Sequence, residues 1–310
     1  MANLRDIKRR IRSVSSTKQI THTMEMVSTT KIMRALTRAM EAAPYKNAMT
    51  SMLANVSAAS TGENVPLLYD PEKIETALVI VVASDRGLAG GFNVQVERAA
   101  AKRLAEFERQ GIKTEVITAG KKPTEFFLAR KRKPILSFEG ISADPTLVEA
   151  NQISSYLMDA FTSHHLDRVE MFYQHAKSRV EQTLTHEVLL PVAPKNLRLP
   201  NDPRSKEASS SVHDQSSVDA NQVLDFEFEP SAREVLGFLI PAYIRTVIYH
   251  ALIDSAAAEH GARRRAMQAA TENATEIIQT LSRQYNRIRQ SSITTELNEI
   301  VGGAAALEEM

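Results

Sequence analysis

The first 59 residues constrain the fold most, because they contain no glycine and a single proline, Pro44. Leu4, Ile7, Ile11 and Val14 recur at spacings of three and four residues, which places them on one helical stripe. A single helix over this segment would be about 84 Å long at about 1.5 Å per residue. No small globule buries such a helix along its whole side, so we expect it to pair with another long helix or to enter a partner.

A second long helix is predicted from about Pro230 to Leu307. Its apolar residues follow the heptad steps of a coiled coil, with one skip before the last two. They are Met267, Ala270, Ala274, Ile277, Leu281, Tyr285 and Ile288. On the first helix we expect the stripe to continue through Ile20 or Thr21, Met24, Val27, Met33, Ala35 and Met40. The pattern predicts an antiparallel coiled coil of the two helices, and the alternative is two unrelated helices of a larger bundle.

An α/β pattern separates the two helices. Ala77–Ala83 is a continuous apolar, β-branched run, typical of a strand buried on both faces. Strand and helix patterns alternate after it, which predicts a mostly parallel sheet with packed helices. The predicted domains are a long N-terminal helix (1–59), an α/β domain (74–195), a polar linker ending in a strand-like segment (196–229) and a long C-terminal helix (230–310).

Charge is distributed unevenly, although the formal net charge is +1. Residues 1–46 carry ten Lys or Arg and three Asp or Glu, a net charge of +7, and the remainder carries −6. A basic helix of this kind binds an acidic protein surface or nucleic acid, and a merely solvated face is the third reading. The segment has no aromatic residue before Tyr45, so base stacking has no support.

A glycine-rich turn follows the first predicted strand, and we expect a structural role for seven of its residues. They are Ser84, Asp85, Arg86, Gly87, Gly90, Gly91 and Asn93. Backbone amides at such turns often bind phosphate, which keeps a nucleotide-binding function open. The G-x-x-G-G spacing matches neither the dinucleotide fingerprint nor the P-loop, and no Lys-Ser or Lys-Thr follows. A tight turn with close strand–helix packing is favoured instead.

The sequence contains no recognisable catalytic or metal-binding constellation. Without Cys, a disulfide scaffold, a Cys-built zinc finger and a thiol nucleophile are excluded. Neither H-E-x-x-H nor G-x-S-x-G occurs, so we expect no metal, no cofactor and no catalytic residue. The most apolar window, Val235–Ile253, contains Pro241, Arg245 and His250. We therefore expect a buried or partner-facing helix there rather than a transmembrane span.

Three blocks in a fixed order carry a resemblance to a known family. They are Ile7–Ala35, Ser84–Asn93 (SDRGLAGGFN) and Ala257–Ala305, which contains AEHGARRRAMQAATENAT and YNRIRQSSITTELNEIVGGAA. Over nearly the whole chain, the sequence resembles the gamma subunit of F-type ATP synthases. The resemblance implies an antiparallel coiled coil of the two termini, with a Rossmann-like α/β domain between them.

The resemblance also implies a function. A gamma subunit is a non-catalytic central rotor shaft that couples transmembrane proton flow to ATP synthesis or hydrolysis in the beta subunits. It also regulates ATPase activity and proton flow. The implied partners are the alpha and beta subunits of the surrounding ring, the epsilon subunit and the c-ring of the membrane sector, with no nucleic acid. Two alternatives remain, namely an α/β nucleotide-binding enzyme with helical arms and a basic coiled-coil nucleic-acid binder.

The implied location is the cytoplasmic face of a bacterial cell membrane, as a peripheral protein with no transmembrane segment of its own. An organellar inner membrane or a thylakoid membrane is the alternative. Chloroplast relatives carry a Cys pair near residues 196–222, and the absence of Cys here excludes their disulfide switch. Together with the lack of a clear transit peptide, this absence favours a bacterial protein.

The resemblance assigns contact roles to individual residues. Met24 corresponds to the family's coupling methionine near an acidic loop of beta, and Arg9 and Arg10 precede it on the same basic helix. Arg289 and Gln290 match a pair that hydrogen-bonds a loop of beta. Further contact positions of the C-terminal block are Arg263, Thr294 and Glu296. The foot facing the c-ring and epsilon is expected at Phe226, Phe228 and Glu229.

Overall fold

The computed structural model describes residues 4–59, 68, 71, 73–192, 229 and 231–308. It divides into two compact units. One unit, which we call the coil unit, comprises residues 1–29 and 263–310; the other, the α/β unit, comprises residues 30–262. Two long helices run through both units: α1 spans Leu4–Ala59 and α5 spans Ala232–Glu308.

The α/β unit contains a five-stranded sheet. Its strands are β1 (Thr76–Val82), β2 (Lys113–Ala119), β3 (Leu136–Phe138), β4 (Arg168–His175) and β5 (Thr183–Leu190). The spatial order is β3-β2-β1-β4-β5, and all neighbouring pairs are parallel except the antiparallel pair β4–β5. The helices are α2 (Phe92–Arg109), α3 (Lys121–Ala129) and α4 (Leu147–Thr162). This arrangement is a Rossmann-like α/β fold, as predicted.

Apolar side chains cover both faces of the sheet. On one face, Leu78 and Ile80 of β1 pack with α4 and with the parts of α1 and α5 that belong to this unit. On the other face, Val79 and Val81 pack against α2 and α3, where Phe107 and Phe127 are fully covered. Strand β1 is buried on both sides, which explains why its sequence is a continuous apolar run.

In the coil unit, the beginning of α1 lies with the end of α5. The Thr21 and Thr271 hydroxyl oxygens form a hydrogen bond of 2.7 Å between the two helices. Ile7 of α1 and Met267 and Ala274 of α5 are buried in the unit. The remaining halves of the two helices share the α/β unit, so α1 and α5 run antiparallel. The predicted antiparallel helix pair is therefore confirmed.

The predicted stripe of α1 is wrong in part after Val14. Of the two predicted alternatives Ile20 and Thr21, Thr21 is the buried one, and the next buried residue in the coil unit is Ser28 rather than Val27. Ile20 and Val27 are 59% and 51% exposed instead, and Met33 and Met40 are also exposed. The helical period fixes which residues face the partner helix, whatever their polarity, and Thr21 satisfies its hydroxyl on Thr271.

A smaller correction applies to α5. The predicted seam included Ile277, which is exposed, whereas its neighbour Ile278 is half-buried. Adjacent isoleucines lie about 100° apart on a helix, so apolar character alone could not decide between them.

One stretch of α5, Arg233–Gly302, is long and apolar enough to cross a membrane by length and composition. Its apolar residues from Leu236 to Leu252 pack against the sheet of the α/β unit. A core helix has the same composition, and this packing accounts for the apolar character. The predicted linker at 196–229 lies outside the described residues, apart from Glu229.

Candidate functional site: the coil unit and the glycine-rich turn

A ring of basic side chains surrounds the helix pair near the start of α1. Counting turns along both helices from the Thr21–Thr271 bond places residues 4–12 of α1 beside residues 280–288 of α5. We call the exposed cations at this level, including Arg289 of the next position, the basic collar. It comprises Arg5, Lys8, Arg9, Arg10, Arg12, Arg283, Arg287 and Arg289.

The chain itself neutralises little of the collar's charge. Asp6 is the one acidic residue at the same level of the sequence, and it pairs with Arg9 at 3.0 Å. Arg10, Arg12 and Arg289 form no ion pair with any described residue. Eight cations and one acid within about 15 Å of helix repel one another and attract an acidic surface.

Apolar side chains are exposed at the C-terminal end of α5. The register places residues beyond 292 past the start of α1, so α1 cannot cover them. Ile293, Leu297, Ile300 and Val301 recur at steps of four, three and one, and all are exposed, with Ile300 at 68%. They form one helical stripe, which we call the apolar tip. Contiguous exposed apolar residues of this kind mark a binding surface.

A second exposed apolar face lies on α1. Ile20, Met24 and Val27 are spaced four and three residues apart, so they share one side of the helix. Met24 is half-buried, and the other two are exposed. The face exists because the seam runs through Thr21 and Ser28 instead.

The other predicted contact residues fall into three groups. Gln290, Thr294 and Glu296 are exposed near the apolar tip, where the Thr294 hydroxyl donates to the Gln290 carbonyl at 3.0 Å. Arg263 is 8% exposed, so most of its side chain packs within the chain. Glu229 is exposed, and Phe226 and Phe228 lie outside the described residues.

Asp85 is the centre of the glycine-rich turn. Its carboxylate accepts hydrogen bonds of 2.8 Å from three backbone N–H groups, those of Lys121, Gly140 and Ser142. Partial burial raises the pKa of this carboxyl group, but the backbone donors outweigh burial and hold the pKa below its ordinary value. The turn thereby ties the carboxyl ends of β1, β2 and β3 together.

The rest of the turn is built for close packing. Asn93 Oδ1 accepts from the Ser84 N–H at 3.0 Å, which joins the end of β1 to α2. Gly90 has a positive φ of 58°, and Ala89 packs with Ala257 and Ala258 of α5. Arg86, Gly87 and Gly91 are exposed. All seven predicted residues thus lie in one turn.

This geometry bears on phosphate binding. An anion held by the glycine-rich turn would use the N–H groups at the start of α2, the helix that follows β1. The Asp85 carboxylate already occupies Lys121 N and Gly140 N. These bonds fasten the turn to the start of α3 and to the segment after β3, which is a structural role.

A buried ion network was not predicted. The Glu170 side chain is fully covered, and it accepts two bonds of 2.8 Å from Arg103, one of 2.6 Å from Arg168 and one of 2.8 Å from His186. Burial raises the pKa of Glu170, but these partners outweigh it, and the pKa lies well below its ordinary value. The network joins α2, β4 and β5.

No group of acidic or histidine side chains suited to a metal ion occurs among the described residues.

A long antiparallel helix pair combined with a Rossmann-like domain, and with charged and apolar surfaces left uncovered, defines a subunit of a larger assembly. Comparison with known proteins gives the family. The family described as "ATP synthase" matches residues 3–307. ATP synthase gamma chains of Chlorobium phaeobacteroides and Leptospira biflexa are each 36% identical, over 99% of this chain and 99% and 100% of the relatives. The chain belongs to the ATP synthase gamma chain family.

Solved structures agree on the fold. A chain of the Euglena gracilis mitochondrial ATP synthase aligns with a TM-score of 0.62 and 16% identity, over 98% of this chain and 94% of that chain. A chain of the Tetrahymena thermophila central stalk and c-ring structure aligns with a TM-score of 0.56 and 22% identity, over 81% and 99%. The family predicted from the sequence is confirmed, and with it the role of a rotor-shaft subunit of a membrane-associated ATP synthase.

Proposed function

We propose that this gamma chain is the non-catalytic shaft that couples proton flow through the membrane sector to ATP synthesis or hydrolysis in the beta subunits. The observation that carries the proposal is the combination of the basic collar with the apolar tip. A free protein gains nothing from clustered positive charge or from an exposed apolar stripe. Both surfaces suit a surrounding ring that is acidic beside the collar and apolar beside the tip.

Coupling follows from the different faces of the coil unit. Near the Thr21–Thr271 bond the helix pair presents the apolar residues Ile20, Met24 and Val27 on α1 and the exposed acidic residues Glu272 and Glu276 on α5. A shaft that turns inside a ring of three sites brings a different face to each site. Each site is then biased toward one conformation by its differential contact free energy. Flexible methionine side chains suit contacts that change with rotation.

The glycine-rich turn supports a non-catalytic role. The Asp85 carboxylate binds three backbone N–H groups of the segments after β2 and β3, which is a structural task. The sequence of the turn supplies no P-loop lysine either. Catalysis is accordingly assigned to the beta subunits, and the α/β unit carries no cofactor.

The remaining partners and the location are part of the proposal. The ring is formed by alpha and beta subunits, and the foot near Phe226, Phe228 and Glu229 faces epsilon and the c-ring. The complex lies at the cytoplasmic face of a bacterial cell membrane, and this chain is peripheral to it. The packing of the apolar part of α5 against the sheet supports a peripheral chain.

The collar is tested in the assembled complex. We expect the double variant Arg10→Gln, Arg289→Gln to lower ATP-driven proton pumping and to release this chain at lower salt, because it loses two charges that face the ring. The matched control is Arg98→Gln, Lys102→Gln, which removes two exposed cations from α2 of the α/β unit. Parent-like pumping and retention in the collar variant would contradict the proposal.

Met24 has its own test. Met24→Lys adds a cation to the face of α1 that meets an acidic loop, and the additional ion pairing should impede rotation. We expect fewer protons pumped per ATP hydrolysed than in the parent. Val180→Lys, an exposed apolar position before β5, serves as the control. Equal pumping per ATP in the Met24 variant and the parent would remove Met24 from the contact surface.

The two alternative functions make opposite predictions. A nucleotide-binding enzyme would bind nucleotide tightly as the purified chain and lose it on Gly90→Val. A nucleic-acid binder would retain DNA with a steep salt dependence. We expect neither behaviour at physiological salt.

A further inference from the structure

A cavity in the α/β unit lies outside the turn and the coil unit. It has a volume of about 390 Å³ and is lined by residues of α1, α4 and α5, all within the α/β unit. This volume is in the range of pockets that hold small organic molecules, about 300–1,000 Å³. Ala42, Tyr45, Leu147 and Tyr249 provide apolar and aromatic surface.

The polar lining has one cation without a partner. Arg245 is exposed and forms no ion pair or hydrogen bond with any described residue. The neighbouring cations differ, because Arg38 is paired with Asp144 and Lys46 lies 3.5 Å from Glu187. The charge that faces the cavity is therefore positive, and it is located on Arg245.

His250 adds a second polar group. Its Nδ1 atom is buried and has no hydrogen-bond partner among the described residues. Burial lowers the pKa of His250, and the nearby Lys46 lowers it further. The ring is accordingly neutral at pH 7 and can donate or accept one hydrogen bond at the cavity wall. Asn151 and Thr246 complete the polar lining.

We propose that this cavity binds a small organic anion with an aromatic body, its anionic group on Arg245 and its ring against Tyr45 and Tyr249. An unpaired guanidinium selects the anion, since a charge-assisted hydrogen bond is about twice as strong as a neutral one. Aromatic rings favour a flat, apolar body over a compact inorganic anion. A ligand that contacts α1, α4 and α5 together also stabilises their packing by mass action.

The test uses the full chain and two fluorescent probes that share one aromatic body. Anilinonaphthalene sulfonate carries the anion, and phenylnaphthylamine lacks it. We expect the parent to bind the sulfonate at least about tenfold more tightly than the neutral probe. In Arg245→Gln the sulfonate should bind about tenfold more weakly than in the parent, and the two probes should converge. Arg233→Gln, an exposed position on the same helix, should behave as the parent.

A second variant distinguishes probe binding in the cavity from probe binding at other apolar surfaces. Asn151 is exposed on α4, so Asn151→Trp can fill the cavity without disturbing the core. It should abolish the Arg245-dependent part of sulfonate binding while leaving the thermal midpoint of the unliganded chain unchanged. Equal sulfonate affinity in the parent and in Arg245→Gln, or in the parent and in Asn151→Trp, would overturn the proposal.

Discussion

Asp85 offers the sharpest test of how the glycine-rich turn is built. Asp85→Asn preserves the shape of the side chain but removes the charge and replaces one acceptor oxygen with a donor. The parent carboxylate accepts three bonds of 2.8 Å from backbone N–H groups. A hydrogen bond to a charged group contributes about 1.5–3 kcal/mol, and partial exposure favours the lower end. Because the amide oxygen retains part of this bonding, we expect a loss of about 3 kcal/mol.

Hydrogen exchange of backbone amides in β1 and β2 measures this loss in the full chain. A change of about 3 kcal/mol corresponds to exchange roughly 150-fold faster where exchange follows opening of the α/β unit. Asp159→Asn is the control, because Asp159 is exposed on α4, and its exchange should match the parent. A change of less than about threefold for Asp85→Asn would refute the reasoning.

The same carboxylate predicts a pH dependence. The pKa of Asp85 in the folded chain lies below its ordinary value, so its stabilisation is complete above the ordinary value of about 3.9. The stabilisation is lost as the pH falls through the folded-state pKa. The difference between the parent and Asp85→Asn should therefore be constant from about pH 5 to 8 and should shrink in stronger acid.

Three further substitutions have clear outcomes in the isolated full chain. Glu170→Gln removes the buried carboxylate that Arg103 and Arg168 share, and it should lower the free energy of unfolding of the α/β unit, measured by urea denaturation, by about 3 kcal/mol. The partly exposed Glu106→Gln should change it by less than about 1 kcal/mol. Gly120→Ala should lower the free energy of unfolding by at least about 2 kcal/mol in the same measurement, because φ is 115° and an added Cβ would lie 2.4 Å from the Ala83 carbonyl oxygen. A neutral effect would show that the turn relaxes. Ile7→Ala should destabilise the coil unit by about 2 kcal/mol, because Ile7 is buried. Ile20→Ala should change the stability of that unit by less than about 0.5 kcal/mol, because Ile20 is exposed. Hydrogen exchange measures both, and equal effects would show that Ile20 lies on the seam.

Local pattern was enough to predict the α/β fold. Strand β1 was predicted at Ala77–Ala83 and occurs at Thr76–Val82, because a continuous apolar run has no other stable place than a doubly covered sheet. The long helices were equally clear, since the first 59 residues contain no glycine to end a helix.

The helix seam and the turn show where the sequence was insufficient. Apolar character left Ile20 or Thr21 open and placed Val27 on the seam. The structure buries Thr21 and Ser28 there, and Thr21 bonds a residue of the other helix. The residues of the turn were identified, but two of the three backbone donors to Asp85 come from Gly140 and Ser142, more than fifty positions away. Such contacts depend on tertiary structure and leave no local signal.

Rotation of this chain within its complex is the most direct test of the shaft function. The chain contains no Cys, so Lys102→Cys, an exposed position on α2, provides the one thiol of this chain for attaching a bead. The ring of the assembled complex is fixed to a surface, and ATP is added. The shaft function predicts continuous rotation of the bead in one direction, and none when ATP is omitted. A bead that stays fixed while the same complexes hydrolyse ATP would contradict it.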